Sequence, residues 1–352
     1  PLHRPATEED QPSLAGLLRR MGAVSQADMA TAGGLAFRHD RPLAEVLVAR
    51  GWATGADVLA AQALRWNTQP VDLLRSPPDA RLVDRLGIDL CLKEGVLPWR
   101  HLGGAMVVAT SRPDDFATFR AGLPDDFGPV MMALAPEADI HAAILALRGT
   151  SLIRAAETRV PARLSCRIRD EGRQSRIALG LLAMLAAGAL AMPQAVLGLA
   201  FAWALVTLVS ATGLKAAAAW AELRATARQG RQPPAPPPTS LRLPVISVMV
   251  PLFRESGIAP RLVQRLSRLD YPRELLDVIL VVEEEDRQTH AALCGARLPA
   301  WMRVVTVPDG PLRTKPRALN FAMNFCRGTI IGVWDAEDAP APDQLLEVAR
   351  RF

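Results

Sequence analysis

IALGLLAMLAAGALAMPQAVLGLAFAWALVTLVSATGL, the stretch from Ile177 to Leu214, contains no charged side chain. A helix that crosses the hydrocarbon core of a bilayer needs about 20 apolar residues, so this stretch accommodates one very long helix or two short ones. Pro193 and Gln194 favour two, because proline lacks an amide hydrogen and glutamine is the one strongly polar side chain present. We predict a transmembrane hairpin, with helices at about 177–192 and 195–214. The alternative is a buried apolar hairpin in a large soluble protein.

Basic residues flank the apolar stretch on both sides. They are Arg163, Arg167, Arg169, Arg173 and Arg176 before it, and Lys215, Arg224, Arg228 and Arg231 after it. Because Lys and Arg concentrate on the cytoplasmic side of membranes, we expect a multi-pass protein of the bacterial inner membrane with both soluble parts in the cytoplasm. The formal net charge of +5 would permit nucleic-acid binding. The arginines gather beside the membrane, however, so the lipid bilayer is the simpler partner and no nucleic acid is expected.

Two classes of site are excluded by what the sequence lacks. Its four cysteines are scattered, without a CxxC pair or a histidine at zinc-ligand spacing, which argues against a disulfide framework and a structural zinc. It also lacks the GxxxxGK[ST] loop of P-loop nucleotide hydrolases. The opening residues are polar, with no signal peptide pattern. The last residue, Phe352, falls inside a helical pattern, so we expect the chain to be part of a longer protein.

The N-terminal part contains a tandem repeat. LAGLLRRMGAVSQADM, Leu14–Met29, aligns with LAEVLVARGWATGADV, Leu43–Val58. In each copy an apolar helical pattern ends at a glycine, and a serine or threonine then caps a second helix with an acidic residue three positions later. Residues 1–70 are therefore predicted to form a repeat unit of four short helices.

Residues 71–148 show strand patterns as well as helical ones. GVLPWRHLGGAMVVATSRPDDF indicates a hairpin of two strands around Gly103-Gly104. PVMMALAPEADIHAAILALRG indicates a strand followed by a helix that begins near Pro136. We predict a small α+β unit here.

Residues 12–148 resemble the N-terminal domain of type II secretion and pilus assembly ATPases, in the variant that binds cyclic di-GMP through two tandem repeats. The resemblance rests on the twin LxxxL repeats with their glycines, on AAQALRWNTQPVDLL and on VVATSRPDDF. It implies a regulatory domain, which either binds cyclic di-GMP or serves as a docking scaffold. The chain has Ser13-Leu14-Ala15 and Pro42-Leu43-Ala44 where the family's repeats begin with arginine, leucine and glycine. The candidate phosphate contacts are Arg19, Arg20 and Arg65, for which a solvated basic face is the alternative.

Two linkers separate this part from the last one. Residues 149–176 form a basic linker expected to rest against lipid headgroups. Residues 215–242 begin as an interfacial helix and end in GRQPPAPPPTS, a proline-rich spacer. A new domain is predicted over 243–352.

Four apolar runs in this last domain indicate strands: VISVMVPLF, DVILVV, MRVVTVP and GTIIGVW. Helical patterns lie between them, and such alternation predicts a mainly parallel sheet covered on both faces. The whole chain is thus expected to be a multidomain α/β protein with membrane helices.

Acidic residues follow three of the four predicted strands. They are Glu255, the run from Glu283 to Asp286, and the run from Asp335 to Asp338. In parallel sheets, ligands bind beyond the carboxyl ends of the strands. Asp335 and Glu337 share one face of an extended segment, so both point at one hard cation, Mg²⁺ or Mn²⁺. Lys315, at the start of the preceding helix, adds a positive charge for phosphates. A nucleotide diphosphate is the ligand that uses all these groups.

VPLFRE, VVEEED, KPRALN and DAEDAPAPDQL together resemble the donor half of a family 2 glycosyltransferase of the Rossmann-like GT-A fold, nearest to membrane-bound, cellulose-synthase-like enzymes. The resemblance covers residues 244–352. It implies a nucleotide-sugar donor, most commonly UDP-linked, with Asp335 and Glu337 holding the metal, Glu283 or Glu285 on the base, Glu255 near the nucleotide and Lys315 on the diphosphate. It also implies a polysaccharide or glycan acceptor and a catalytic base beyond Phe352.

The sequence predicts a membrane-bound hexosyltransferase of exopolysaccharide biosynthesis, regulated through its N-terminal domain. The alternative is a non-catalytic membrane signalling or docking protein with a nucleotide-sensing N-terminal domain. Each candidate residue also has a structural interpretation: the acidic run after the second strand as a solvated turn, Lys315 as a surface lysine, and DAED as a helix cap.

Overall fold

The computed structural model describes residues 12–164, 171–229, 242–310 and 312–352. By its contacts the chain divides into two compact units. One unit is built from both ends of the chain, up to Arg159 and from Arg242 onward, and the other is Val160–Leu241. Residues 165–170 of the predicted basic linker, and residues 230–241 with the proline-rich spacer, lie outside the described residues.

The tandem repeat forms four helices. They are α1 (Leu14–Arg20), α2 (Gln26–His39), α3 (Leu43–Ala49) and α4 (Gly55–Arg65). The glycines that follow α1 and α3, Gly22 and Gly51, have φ angles of +70° and +71°, the left-handed conformation that glycine adopts without strain. Ser25 and Thr54 cap α2 and α4, and Thr54 forms a reciprocal capping box with Asp57. The repeat is thus two copies of one helical hairpin.

The next segment is the predicted α+β unit. It contains α5 (Ala80–Leu86), α6 (Ile88–Glu94), β1 (Val96–Leu102), β2 (Ala105–Thr110), α7 (Phe116–Ala121), β3 (Val130–Leu134) and α8 (Glu137–Thr158). β1 and β2 pair antiparallel across a two-residue turn at Gly103 and Gly104, both with positive φ, and β3 joins β2 in parallel. Helix α8 is kinked at Arg148, whose φ is −134°. Residues 12–159 are called the N-terminal body below.

The second compact unit contains two long helices, α9 (Glu171–Ala191) and α10 (Pro193–Gln229). Met192 alone separates them, and Pro193 begins α10, where its missing amide hydrogen costs nothing. The prediction placed Pro193 and Gln194 in the turn and ended the second helix at 214, whereas α10 continues to Gln229. Among the described helices, α10 alone is long and apolar enough to cross a membrane, over Pro193–Ala227. The apolar part of α9, Ser175–Ala191, is shorter.

The C-terminal body, residues 242–352, alternates strands and helices. They are β4 (Ile246–Leu252), α11 (Ile258–Leu266), β5 (Leu276–Glu283), α12 (Arg287–Cys294), β6 (Met302–Val307), α13 (Lys315–Ala322), β7 (Ile330–Val333) and α14 (Gln344–Arg351). The sheet has the order β6-β5-β4-β7, and all three strand pairs are parallel. The predicted mixed α/β fold with a parallel sheet is confirmed.

Both faces of this sheet are covered, because alternate residues of each buried strand point to opposite sides. On one face Val248, Val250 and Leu280 share a core with Leu262 of α11 and Ala349 of α14. The strands are therefore nearly continuous apolar runs, as expected for a parallel sheet buried on both faces.

The other face joins the two bodies in one core. Met249 and Ile279 of the sheet and Phe321 of α13 belong to the same buried cluster as Ile140 and Ile144 of α8. The sequence analysis treated the two bodies as separate and did not predict this packing.

Candidate functional site

The carboxyl ends of β5, β4 and β7 lie side by side at one edge of the parallel sheet. The chain leaves β4 through Arg254, whose φ is +56°. This left-handed conformation, uncommon for a residue other than glycine, is held by two hydrogen bonds. The Arg254 amide donates to Asp286 at 2.6 Å, and the Glu255 amide donates to the Thr289 hydroxyl at 2.9 Å. The loop that carries Glu255 is therefore fixed to the start of α12.

A cavity of about 320 Å³ opens at this edge of the sheet. Five carboxylates and one lysine among the residues singled out from the sequence line it: Glu255, Glu283, Glu285, Asp335, Glu337 and Lys315. Phe253, Arg313 and Thr314 line it as well. The structure thus brings together in one place residues that the sequence distributes over three strand ends and a helix start.

Lys315 and Asp335 form an ion pair within the cavity, and both side chains are about half exposed. Asp335 begins a turn in which its amide donates to the Asp338 carboxylate at 2.7 Å. The carbonyl groups of Ala336 and Glu337 accept hydrogen bonds from the Arg265 guanidinium. The backbone from Asp335 to Asp338 is therefore fixed, while the carboxylates of Asp335 and Glu337 remain accessible.

Glu283, the last residue of β5, has a basic partner that the sequence analysis missed. One of its carboxylate oxygens lies 3.1 Å from Nη1 of Arg317, a side chain with only 2% exposure. Burial raises the pKa of Glu283, since the Arg317 charge does not fully offset the loss of water and Glu285 and Asp309 add negative charge nearby. Glu283 is thus a half-buried carboxylate whose position depends on Arg317.

Glu285 and Asp286 have different surroundings although they are neighbours. Glu285 pairs with Arg313 at 2.8 Å and lines the cavity. Asp286 is buried and caps α12 by accepting hydrogen bonds from the amide and hydroxyl of Thr289. Its burial would raise the pKa, but these hydrogen bonds outweigh burial and lower the pKa of Asp286. Asp286 therefore supports the local fold as the buried cap of α12 and is not part of a solvated turn.

The sequence analysis also missed Arg313 and Phe253. Every second residue is basic just before and at the start of α13, at Arg313, Lys315 and Arg317. This spacing was the signal in the sequence that could have identified Arg313. Phe253 directly follows β4 and has 55% exposure, which is unusual for an aromatic ring beside a buried strand. It gives the cavity an aromatic surface.

The donor set of the cavity suits a hard cation, because carboxylate oxygens are the ligands that Mg²⁺ and Mn²⁺ prefer. Among residues 12–164, 171–229, 242–310 and 312–352, no three His, Cys, Asp or Glu side chains form a preassembled metal-binding group. A cation held by two carboxylates alone would need further oxygen ligands, such as those of a phosphate or of water.

The three arginines proposed as phosphate contacts in the N-terminal body have different surroundings. Arg19 and Arg20 are exposed at the end of α1. Arg65 pairs with Asp114 at 2.7 Å and packs over the Trp66 ring.

A larger polar cavity of about 470 Å³ lies between the N-terminal and C-terminal bodies. Its basic side chains include Arg41 and Arg327, which already pair with Glu45 and Glu137. Four acidic and five basic side chains line this cavity and nearly balance, whereas five acidic and two basic ones line the strand-end cavity. We therefore assign the candidate site to the strand ends.

Two family models match the chain. Residues 244–352 match a model described as glycosyltransferase like family 2, and residues 66–153 match the MshEN domain. The second match covers the α+β unit and most of α8, and the tandem helices up to Arg65 precede it. The chain thus combines a segment similar to the MshEN domain with a C-terminal segment similar to family 2 glycosyltransferases.

One curated protein similar to the chain is the beta-monoglucosyldiacylglycerol synthase of Synechocystis sp., with 34% identity over 104 residues. That match covers 29% of this chain and 22% of the synthase, so the chain spans about a fifth of that protein.

Two solved structures are each similar to a part of the chain. MshE with cdg has 22% identity and a TM-score of 0.35, and the match covers 39% of this chain and 99% of that one. The mannosyltransferase PcManGT from Pyrobaculum calidifontis, in complex with GDP-Man and Mn²⁺, has 27% identity and a TM-score of 0.32. That match covers 42% of this chain and 43% of the mannosyltransferase.

Proposed function

We propose that the strand-end cavity binds a nucleotide-sugar donor, and that the chain takes part in transferring the sugar to a polysaccharide or glycan acceptor. The observation that carries the proposal is the convergence of five carboxylates and one lysine on one cavity. The match of residues 244–352 to the family 2 glycosyltransferase model supports the same class of reaction. The specific enzyme that we infer is a hexosyltransferase of exopolysaccharide synthesis.

The proposed roles follow from charge and position. Lys315, at the first turn of α13, binds the diphosphate of the donor, where the positive end of the helix dipole adds to its charge. Glu283 or Glu285 accepts a hydrogen bond from the nucleobase, which for uracil is the N3 hydrogen, and Phe253 offers its ring for stacking. Glu255 lies near the nucleotide. We infer a UDP-linked donor on this basis.

Asp335 and Glu337 would hold Mg²⁺ or Mn²⁺ between the chain and the diphosphate. The cation would supply neutralising charge as the diphosphate leaves the anomeric carbon of the sugar. Lys315 and Asp335 pair with each other. We infer that Lys315 exchanges this partner for a phosphate oxygen when the donor binds, which frees the Asp335 carboxylate for the cation.

The transfer itself consists of attack by an acceptor hydroxyl on the anomeric carbon, with release of the nucleoside diphosphate. The acceptor hydroxyl loses its proton to a general base. We assign to the cavity residues the binding and orientation of the donor, and we assign the base to none of them.

The membrane unit would hold this reaction at the inner face of a bacterial membrane. Helix α10 is long and apolar enough to cross the bilayer, and α9 precedes it after a single-residue break. We propose that both helices cross as a hairpin, because the basic residues on its two sides then stay in the cytoplasm with both soluble bodies.

The N-terminal body would regulate the donor site. Two mechanisms are compatible with an MshEN domain: binding of cyclic di-GMP, with Arg19, Arg20 and Arg65 as phosphate contacts, or docking without a nucleotide. The core that joins α8 to α13 favours a direct mechanical effect of this body on the C-terminal body. Titration of cyclic di-GMP into the wild-type chain and into the double variant Arg19→Gln/Arg20→Gln distinguishes the two mechanisms. The binding mechanism predicts that only the wild-type chain binds cyclic di-GMP, and the docking mechanism predicts that neither protein does.

The proposal is tested by isothermal titration calorimetry of the detergent-purified chain with UDP and with GDP, each with and without Mn²⁺. We expect Mn²⁺-dependent binding of UDP that is lost in Asp335→Asn. The matched control is Glu347→Gln, which removes an exposed carboxylate of α14 outside the cavity and should bind like the wild-type chain.

Three results would decide against parts of the proposal. Absence of nucleotide binding under every condition would favour the non-catalytic signalling or docking role. Tighter binding of GDP than of UDP would overturn the choice of base. Equal losses in Asp335→Asn and Glu347→Gln would indicate that neither variant reports on a metal site.

A further inference from the structure

Arg317 is a buried cation shared by two carboxylates from different bodies. Its side chain has 2% exposure, its Nη1 lies 3.1 Å from an Oε2 of Glu283, and its Nε lies 3.4 Å from Oε1 of Glu157. Its Nη2 donates to the carbonyl of Pro308 at 2.5 Å. A buried charge is stable only when it is paired and hydrogen-bonded, so the position of the guanidinium depends on all three partners.

The two carboxylates have different locations. Glu283 ends β5 and lines the strand-end cavity. Glu157 lies near the end of α8, which belongs to the N-terminal body. The path from Glu157 through Arg317 to Glu283 therefore runs without a gap from the N-terminal body to the wall of the cavity.

The contact between Glu157 and Arg317 is an ion pair without a hydrogen bond between the facing atoms. Within the described residues, the Glu157 Oε1 and the Arg317 Nε are buried and neither has a hydrogen-bond partner of good geometry. They attract each other as charges only, so their interaction depends on how closely α8 approaches α13. Movement of α8 would therefore change the electrostatic attraction between Glu157 and Arg317.

Helix α8 is attached to α13 by further polar contacts near Glu157. The Asn320 side chain donates to the Ala156 carbonyl at 3.1 Å, and Arg159 donates to the Asn320 carbonyl at 3.2 Å. The kink at Arg148 separates this last part of α8 from the part that precedes it in the N-terminal body. Arg148 itself pairs with Asp84 of α5, which fixes the kink to that body.

We propose that Glu157 and Arg317 position Glu283 in the donor cavity, so that the packing of α8 on α13 sets the affinity for the donor nucleobase. This inference rests on the proposed function. Glu157 and Arg317 are positioning residues, because they act on the donor through Glu283. The N-terminal body thereby regulates the donor site through an ion-pair chain.

The direction of the effect follows from competition for one cation. With Glu157 present, Arg317 divides its attraction between two carboxylates, and Glu283 retains capacity to accept a hydrogen bond from the nucleobase. Without the charge of Glu157, Arg317 pairs more closely with Glu283 and competes with the nucleobase. Glu157→Gln should therefore weaken UDP binding, by about twofold to thirtyfold, the range typical of coupling through intervening side chains.

The experiment measures the affinity of the detergent-purified chain for three probes: UDP with Mn²⁺, uridine, and pyrophosphate with Mn²⁺. We expect Glu157→Gln to weaken UDP and uridine to a similar extent and to leave pyrophosphate unchanged, because Glu283 serves the base and not the phosphates. The control is Glu137→Gln, which removes another α8 carboxylate that pairs with the C-terminal body, at Arg327, away from the strand-end cavity. It should bind all three probes like the wild-type chain.

A double variant separates positioning from a general structural effect. In Glu283→Gln the base contact is already altered, so adding Glu157→Gln should cause little further loss of UDP affinity. Independent losses in the double variant, or equal losses for uridine and pyrophosphate, would overturn the inference while the proposed function stands. Failure of the wild-type chain to bind UDP would instead overturn the proposed function, and the inference with it.

Discussion

Lys315 and Arg317 lie two residues apart at the start of α13, but their side chains have opposite surroundings. Lys315 has 49% exposure and pairs with Asp335 in the open cavity. Arg317 has 2% exposure and pairs with two carboxylates in the core. An exposed ion pair contributes little to stability, whereas a buried charge whose partner is removed is costly. Lys315 is therefore the residue whose replacement reports on ligand binding with the least effect on folding.

Lys315→Gln should weaken UDP binding by about tenfold to a hundredfold, the usual contribution of a hydrogen bond to a charged group. Uridine binding should not change, because the lysine contacts the phosphates alone. Calorimetric titration with both ligands measures the difference. A loss of the same size for uridine would mean that Lys315 supports the cavity as a whole.

Glu274 is a buried carboxylate at the contact between the two bodies. Its oxygens lie 2.7 Å from Nδ1 of His39 and 2.9 Å from Nε of Arg50. Burial favours the protonated form, but the hydrogen bonds and charge of Arg50, with the hydrogen bond of His39, outweigh burial and lower the pKa of Glu274. A carboxylate with a lowered pKa stabilises the folded state above its unfolded pKa, and this stabilisation is lost as the pH falls.

The free energy of unfolding should therefore decrease as the pH falls below about 4.5, and Glu274→Gln should flatten this decrease. At neutral pH the same variant should lower the free energy of unfolding by about 1.5–3 kcal/mol, because it leaves Arg50 without its charged partner. Urea denaturation at a series of pH values measures both effects. An unchanged pH profile in the variant would contradict the assignment of the acid sensitivity to Glu274.

At the scale of elements, β7 carries Asp335 to the cavity, and its start is closely packed. A Cβ at Gly328 would clash with the Ser247 amide nitrogen and lie 2.8 Å from the carbonyl oxygens of Val245 and Ile330. These are backbone atoms that cannot move aside. Gly332, within β7, has open space at the same position.

Gly328→Ala should lower the free energy of unfolding by about 1–3 kcal/mol, as overpacking typically does. It should also weaken metal-dependent UDP binding, because the displaced strand carries Asp335. Gly332→Ala is the matched control and should have a smaller effect on both quantities. Thermal unfolding and calorimetry compare the two, and equal destabilisation would mean that the tight approach at Gly328 is not the cause.

Local sequence patterns were enough to predict most elements and the composition of the strand-end cavity. The parallel strands are continuous apolar runs, and the carboxylates of Glu255, Glu283 and Asp335 follow them directly, so their meeting at one edge follows from topology. The caps of α2 and α4 were likewise predictable from short sequence patterns, a serine or threonine followed three positions later by an acidic residue. The partners of these carboxylates were not predictable in this way. Glu157 is distant from Glu283 in sequence, and only the packing of α8 on α13 brings both to Arg317.

At the scale of the whole molecule, the N-terminal and C-terminal bodies share a core although residues 160–241 separate them in sequence. Ile144 of α8 and Phe321 of α13 are both fully buried in that core. The sequence predicts that α8 has an apolar face, but it does not predict which surface that face covers. The two bodies were therefore treated as independent domains in the sequence analysis.

The shared core predicts that both bodies unfold together. Ile144→Ala, in the N-terminal body, should lower the opening free energies of amides in β2 and in β5 equally, by about 2–5 kcal/mol, as is typical of truncated core residues. Native-state hydrogen exchange measures the two sets of amides separately. A decrease confined to β2 would show that the bodies unfold independently.

The most direct test is a crystal structure of the chain with Mn²⁺ and UDP, in which the anomalous scattering of manganese locates the metal ion. The account predicts one manganese ion bound by the carboxylates of Asp335 and Glu337 and by the diphosphate of UDP, with Lys315 turned from Asp335 toward a phosphate oxygen. A nucleotide bound at Arg19 and Arg20 while the strand-end cavity holds neither UDP nor manganese would contradict it.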